Sequence, residues 1–408
     1  MKIAVIGGGA AGMMCAALLT ESGIEPVVFE KNEKCGRKLA ITGKGRCNVT
    51  NFCDKNVFFS NVPTNPKFLY SSYSGFSPAD TMSFFEGHGV PLKIERGNRV
   101  FPVSDRAYDI VDALYGVIRK HVKNKKVCSV EQTEGGYIVK SDKDEFFDCV
   151  VVATGGLSYP LTGSTGDGFR FAEKLGIKVT GLYPSLVPLR SSEPHDCASA
   201  MGLSLKNIRV SLFSSSGKRV FTDFGEMLFT HFGVSGPLIL SASAHICESD
   251  LPCYLSIDLK PALEPDILDS KLVSVFSENP NKDVCNSLGS VLPSKIIRLY
   301  LKKCSINPDR KCNSVRREER ERMVSVLKDL RIPIRGKCDF SEAVITRGGI
   351  DVSELDPRSM EVRKHSGLYF IGEVIDVDAY TGGFNLQIAF STAAACAADI
   401  IKKSKAAK

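Results

Sequence analysis

Gly7, Gly9 and Gly12 stand in a G-x-G-x-x-G spacing between the apolar run KIAVI and an apolar-rich segment, Ala10–Glu21. In a strand–turn–helix context each glycine has a physical use. Gly7 permits a tight turn, Gly9 lets the backbone approach a pyrophosphate, and Gly12 lets helix and strand pack closely. The helix start then offers unpaired N–H groups and a partial positive charge to phosphate oxygens. The spacing alone is a weak signal. It gains weight from Glu30, which ends the next apolar run (EPVVFEK) eighteen residues after Gly12, where a carboxylate accepts the two hydroxyls of an adenosine ribose. An acid at that position favours an unphosphorylated ribose, hence NAD or FAD over NADP.

The stretch GRKLAITGKGRCNVTN, residues 36 to 51, separates those two. An NAD-binding chain runs from the ribose carboxylate into the next helix and strand of the sheet. Here a glycine-rich cationic loop follows directly, as in flavoproteins whose chain turns back over the cofactor. Lys31, next to Glu30, joins the candidate contacts. Arg37 and Lys38 are expected to meet the pyrophosphate through charge-assisted hydrogen bonds. Gly43 and Gly45 allow backbone to approach a flavin ring, and Arg46 is expected near the flavin N1/C2=O edge, where a cation stabilises the reduced ring. The competing reading is an exposed basic loop.

The elements that must position these residues follow from pattern. Strand, glycine turn, helix and strand over residues 2–31 make a βαβ unit with a parallel sheet. DRAYDIVDALYGVIRK has helical spacing, KKVCSVEQT and GGYIVKSD are strand-like, DCVVVATGG is a buried-type strand, and Asp167–Leu175 a further helix. After about Pro188 short alternating strands predict an antiparallel β unit over 190–260, and 261–339 turns helical. Strand character returns in EAVITRGGI and GLYFIGEVI, before a Gly-Gly turn and a long apolar helix. Residues 1–189 with 340–408 therefore read as one α/β domain interrupted by an insertion in two parts.

Bulk composition bounds the function. The 408 residues are 43% hydrophobic and 24% charged, as in ordinary soluble proteins. The fourteen cysteines are irregularly spaced and form no CxxC pair, which argues against a zinc ribbon or a redox dithiol and for reduced thiols. The early apolar run is cut by GGG and closed by Glu21, so it reads neither as a signal peptide nor as a membrane span, and a cytoplasmic location is expected. Net charge is +7; between Lys295 and Lys337 fourteen Lys/Arg meet five Asp/Glu. Acids interleave there at helical spacing (VRREERERMVSVLKDL), which reads first as a solvated, ion-paired helix face and second as a nucleic-acid contact.

Four motifs carry a resemblance: GRKLAITGKGRCNVTN, ATGGLSYPLTGSTGDGF, GEMLFTHFGVSGP and GLYFIGEVIDVDAYTGGFNLQIA. Together, in order and along essentially the whole chain, they are similar to the BaiN-like/aminoacetone oxidase-like family of FAD-dependent proteins. The resemblance implies an α/β fold: a Rossmann-like FAD-binding domain of the two-dinucleotide-binding flavoprotein type, with an inserted antiparallel β-barrel and a small helical subdomain. It also implies that Ala11, Glu30, Arg37, Lys38 and Gly45 contact FAD, that the backbone at Val127 holds the adenine, and that Ala153, Thr154 and Gly155 pass near the cofactor. In GLYFIGEVID the family's C-terminal motif brings Gly372 and an acid to the ribityl chain. The acid here is Glu373, and the extra methylene leaves Glu373 and Asp376 both open. Asn385 and Leu386 then open the last helix towards the flavin's pyrimidine oxygen.

No Ser/His/Asp triad, metal cluster or HExxH is present, so no catalytic residue is assigned. Aromatic packing is at least as good a reading of Tyr159 and Tyr380 as proton donation, and His231 reads as structural. No second G-x-G-x-x-G follows a later strand, so NAD(P)H as donor must bind transiently at the flavin. Three functions remain. They are an NAD(P)H-linked reductase of a conjugated ketone such as a bile-acid-like enone, an O2-dependent oxidase of aminoacetone-like amines, and an FAD-bearing protein that grips RNA or another polyanion. A small-molecule substrate is the primary expectation. Nucleic acid is the secondary one.

Overall fold

The computed structural model describes residues 1–246 and 250–406. The chain divides into two compact units, Met1–Ser185 with Phe340–Lys408, and Leu186–Asp339.

The first unit is built on five parallel strands: β1 (Ile3–Ile6), β2 (Val27–Phe29), β3 (Val122–Lys123), β4 (Cys149–Val152) and β5 (Leu368–Phe370). Their spatial order is β5-β4-β1-β2-β3. β1 and β4 are buried along their whole length, which is why they read as unbroken apolar runs and not as alternating ones. The chain adds strands on one side of β1 and then returns to its other side. This makes the β1–β4 pair, with Ile6 opposite Val152, the topological switch point. In such sheets ligands bind outside the carboxyl ends of the strands at that switch.

Helix α1 (Ala10–Glu21) is apolar on nearly every face, as a helix covered on several sides must be. Gly7 has φ +111°, and a Cβ there would lie 2.5 Å from the Ala153 carbonyl oxygen. A Cβ on Gly12 would lie 1.9 Å from the Gly7 oxygen, so the helix approaches its strand only because Gly12 has no side chain. The last helix, α3 (Phe384–Ala406, with α2 at Arg37–Ile41), is long and apolar enough to cross a membrane, yet most of its apolar stretch is buried inside the fold, where it packs on α1.

The second unit holds a closed antiparallel barrel. Its strands run Leu189–Ser191, Gly233–Ser235, Arg219–Phe229, Ser204–Phe213, Cys253–Asp258 and Leu330–Lys337 in order around the barrel. The barrel thus extends beyond the 190–260 segment expected for it. Its sixth strand comes from the segment expected to be helical, after the helices Pro265–Glu278, Ser294–Lys303 and Arg317–Lys328. Leu330, Ile332 and Ile334 are buried while Arg331 and Arg335 are exposed, a period of two that the preceding run of charged helical residues obscured. Val127 also differs from expectation: the strand begins at Ser129, and Val127 is buried in the loop before it.

Gly12→Ala is expected to destabilise the first unit by about 3 kcal/mol or more, because backbone and not a pliable side chain must move. Thermal melts measure this. An unchanged Tm would mean that the close helix–strand approach is not a constraint.

Candidate functional site

The carboxyl ends of the parallel strands open into a groove of about 1310 Å³, counting the part open to solvent. From β1 come Gly7, Gly8 and Gly9; from β2, Glu30 and Lys31; from β4, Ala153, Thr154 and Gly155; from β5, Ile371 and Glu373. Ala11, Arg37, Lys38, Val127, Asn385 and Leu386 line it as well. Residues far apart in sequence meet here because the sheet brings its strand ends to one edge.

Glu30 organises the floor. Its buried carboxylate accepts from the backbone N–H of Gly8 (2.8 Å) and of Asn32 (2.8 Å), and from the Asn32 amide (2.6 Å). Asn32 in turn accepts from the Arg37 guanidinium at 2.8 Å, and Gly36 donates to the Gly8 carbonyl at 2.8 Å. The glycine loop, the end of β2 and the start of α2 are thereby held as one piece. Lys31 pairs with Asp167 at 2.6 Å. Burial works against the Asp167 charge, but Lys31, helped by Arg170 and Thr165, holds its carboxyl below the ordinary range.

Lys38 does not stand free for phosphate. It forms an ion pair with Glu373 and donates to the Ser158 hydroxyl at 2.6 Å, while Ser158 also donates to Glu373. The Thr346 backbone N–H donates to the same carboxylate at 3.0 Å. Of the two acids left open at the C-terminal motif, Glu373 lines the groove and Asp376 does not. Burial raises the Asp376 carboxyl above its ordinary range, with the Thr180 hydroxyl acting in the opposite sense. Gly372, with φ +73°, sits behind the groove, where a Cβ would meet the Ala11 methyl at 2.7 Å.

Arg46 departs from expectation. Its guanidinium pairs with Glu95 and with Asp105 (2.5 and 2.6 Å) and lies 4.2 Å from the Phe101 ring centroid. It serves the small sheet of residues 50–51, 92–95 and 99–102 and does not line the groove. A lone cation beside a glycine loop looks available for an anion in sequence, but two carboxylates 49 and 59 residues away claim it. Gly45 (φ +85°) is also outside the lining residues, with open space where its Cβ would stand. Cys35 and Cys47 are buried free thiols, each pushed up to about 12 by burial, and so are poor nucleophiles.

Other contributors escaped sequence reasoning. Thr50 donates to the Gln387 side chain at 2.6 Å, and the Asn51 amide donates to the Gly382 carbonyl at 2.9 Å. These bonds clamp the NVTN end of the cationic loop to the start of α3. Both motifs were visible as polar residues beside glycines; their pairing was not.

Three observations test whether an FAD would suit this site. Glu30 uses three donors, and a carboxylate has capacity for about four, leaving room for a ribose hydroxyl. Gly9, at the N-cap of α1, offers no side chain, and a Cβ built there meets nothing within 4 Å. The buried Asn48 Oδ1 has no donor among the described residues and lies 3.0 Å from where a Gly383 Cβ would stand, at the mouth of α3. An acceptor orphaned in that way suits an N–H donor, though Asn48, like Arg46 and Gly45, is not among the residues that line the groove. The residues fit the cofactor.

A parallel sheet with a G-x-G-x-x-G loop at its switch point, a carboxylate at the end of the second strand and a cationic loop turning back over the groove define a dinucleotide-binding flavoprotein fold. The chain belongs to the family described as HI0933-like protein Rossmann domain, which it matches over residues 1–399; it is an FAD-dependent oxidoreductase. It is 32% identical over 405 residues to the ribosomal RNA dihydrouridine synthase of Escherichia coli (strain K12), spanning 97% of both chains. To the 3-dehydro-bile acid delta(4,6)-reductase of Clostridium scindens it is 28% identical over 403 residues, 96% of this chain and 97% of that one. Among solved structures it is similar to the 3-ketosteroid delta1-dehydrogenase of Sterolibacterium denitrificans (TM-score 0.48, 13% identity, 98% of this chain and 99% of that one).

Arg46→Ala is expected to lower the Tm while leaving flavin content after purification unchanged, since its partners belong to the small sheet. Loss of flavin at constant Tm would return Arg46 to the cofactor.

Proposed function

We propose that this chain is an NAD(P)H-linked reductase of a carbon–carbon double bond conjugated to a carbonyl, and that the bond is C5=C6 of uracil in ribosomal RNA. The likeness to the E. coli ribosomal RNA dihydrouridine synthase along 97% of both chains carries this reading. The bile-acid reductase supports the same bond chemistry on a different scaffold. Dihydrouridine is uridine plus hydride at C6 and a proton at C5. FAD, when bound, supplies hydride transfer at its N5.

The chain's own residues then have these roles. Gly7, Gly9 and the start of α1 receive the pyrophosphate, with Arg37 completing its neutralisation, while Gly12, expected at the cofactor, does not line the groove and serves the helix–strand contact. Glu30 takes ribose hydroxyls, and backbone at Val127 borders the adenine. Lys38 and Ser158 hold the Glu373 carboxylate fixed beside the ribityl chain. Asn48 accepts from the flavin ring, against the α3 terminus at Asn385 and Leu386. Ribosomal RNA as substrate implies a cytoplasmic enzyme.

A conjugated steroid as substrate is the second reading, and one experiment separates the two. Anaerobic NADPH or NADH should bleach the flavin-loaded protein. Adding unmodified ribosomal RNA should restore the colour and leave dihydrouridine detectable by mass spectrometry. Recovery with a conjugated steroid dienone and not with RNA would favour the second reading; peroxide release with aminoacetone would favour an oxidase and sink both.

Two substitutions probe the site. Glu30→Ala is expected to weaken FAD retention about tenfold or more, because a charged acceptor of several hydrogen bonds is lost. Asn48→Ala is expected to weaken it about fivefold and to shift the bound flavin's absorption. Full flavin occupancy with an unaltered spectrum in the second variant would show that Asn48 faces something other than the ring.

A further inference from the structure

Cations in the 295–337 segment are mostly neutralised within the second unit. Lys302 pairs with Asp196 (2.5 Å), Lys311 with Asp283 (2.7 Å), Arg317 with Glu321 (2.9 Å) and Arg320 with Asp269 (2.6 Å). Lys295 and Arg298, like Arg335, have no carboxylate partner among the described residues. The Lys295 ammonium donates only to the Met201 carbonyl, at 3.3 Å, and Arg298 has no ion pair or side-chain hydrogen bond among the described residues.

These two cations stand three residues apart on the Ser294–Lys303 helix, hence on one face of it. They border a surface cleft of about 710 Å³, open solvent included, that Ser199, Asn286 and Ser294 also line. No carboxylate is among its lining residues. The Asn286 and Ser294 side chains have no hydrogen-bond partner among the described residues, so their donors point to no competing protein group. A cleft with two uncompensated cations and neutral donors matches a phosphodiester, whose oxygens accept from Lys, Arg, Ser and Asn side chains alike. It is ill suited to an apolar steroid.

We infer that this cleft binds backbone phosphates of the RNA substrate. The inference rests on the reading of the chain as an RNA reductase and assigns part of that substrate's grip to the second unit.

Binding of an unmodified ribosomal RNA fragment, measured against salt, tests it. Lys295→Gln with Arg298→Gln removes two phosphate contacts and should reduce the slope of log Kobs against log[salt] by about 1.4, the value for two contacts on single-stranded RNA. Lys271→Gln with Arg335→Gln, exposed cations outside the cleft, removes the same charge and should leave the slope near that of the unsubstituted protein. Thermal melts establish that both variants fold. An equal slope change in the two pairs would overturn the inference, because only overall charge would then matter. So would an unaltered slope in the cleft pair while the unsubstituted protein holds RNA; the functional reading would survive that result. Failure of the unsubstituted protein to hold RNA at ~50 mM salt would end both.

Discussion

Glu30 is a buried charge at the point where β1 and β2 end, and a buried carboxylate persists only when donors surround it. The donors it finds are the loop that follows β1 and the turn that follows β2. Satisfying one side chain therefore fixes two backbone segments, and through Asn32 and Gly36 it fixes the start of α2. A cofactor-binding edge made from loops would otherwise have to be ordered by the cofactor at an entropic cost. Here the hydrogen bonds that hold the Glu30 carboxylate in place also prepare the surface that a ribose and a pyrophosphate require.

The same economy governs the cations. Lys31 and Lys38 line the groove, yet each already has a carboxylate partner. The net field for an anion then comes less from lysine charge than from Arg37 and the unpaired N–H groups at the start of α1, which cost no reorganisation when an anion arrives. Pairing also explains how, in the proposed site, Glu373 would sit beside a dianionic cofactor. Lys38, Ser158 and the Thr346 backbone surround it with donors, so its charge is spent inside the protein and adds little repulsion.

What was legible in the sequence had a local cause. The glycine spacing, the Glu30 position and the unbroken apolar runs of β1 and β4 each reflect contacts made within a few residues or a sheet buried on both faces. The reach of Arg46 was not legible, because its guanidinium is claimed by Glu95 and Asp105 across a fold that sequence does not display. Thr50 and Gln387 meet across 337 positions, and neither residue type announces a partner. Leu330–Lys337 alternates like a strand, but the charged helix before it masks the change of period. Asn48 is the instructive case: an amide among polar neighbours carries no signal until its oxygen is found buried with no donor among the described residues.

Holding a cofactor and exchanging substrates make opposite demands on one groove. Retention needs many fixed donors and acceptors; turnover needs a face that stays open. The sequence carries a single G-x-G-x-x-G, so in the proposed reading a nicotinamide donor uses the flavin's exposed side and takes turns there with the acceptor. The residues are distributed accordingly. Strand ends carry the interlocked side chains Glu30, Asn32, Lys31 and Asp167, while the loop at residues 43–45 carries glycines, one of which faces open space. Bare backbone makes no specific demand on what approaches it. Those glycines lie outside the groove's lining, so under the proposed reading retention rests on the interlocked strand ends, and an acceptor as bulky as a base within folded RNA has to be admitted where that interlocking stops.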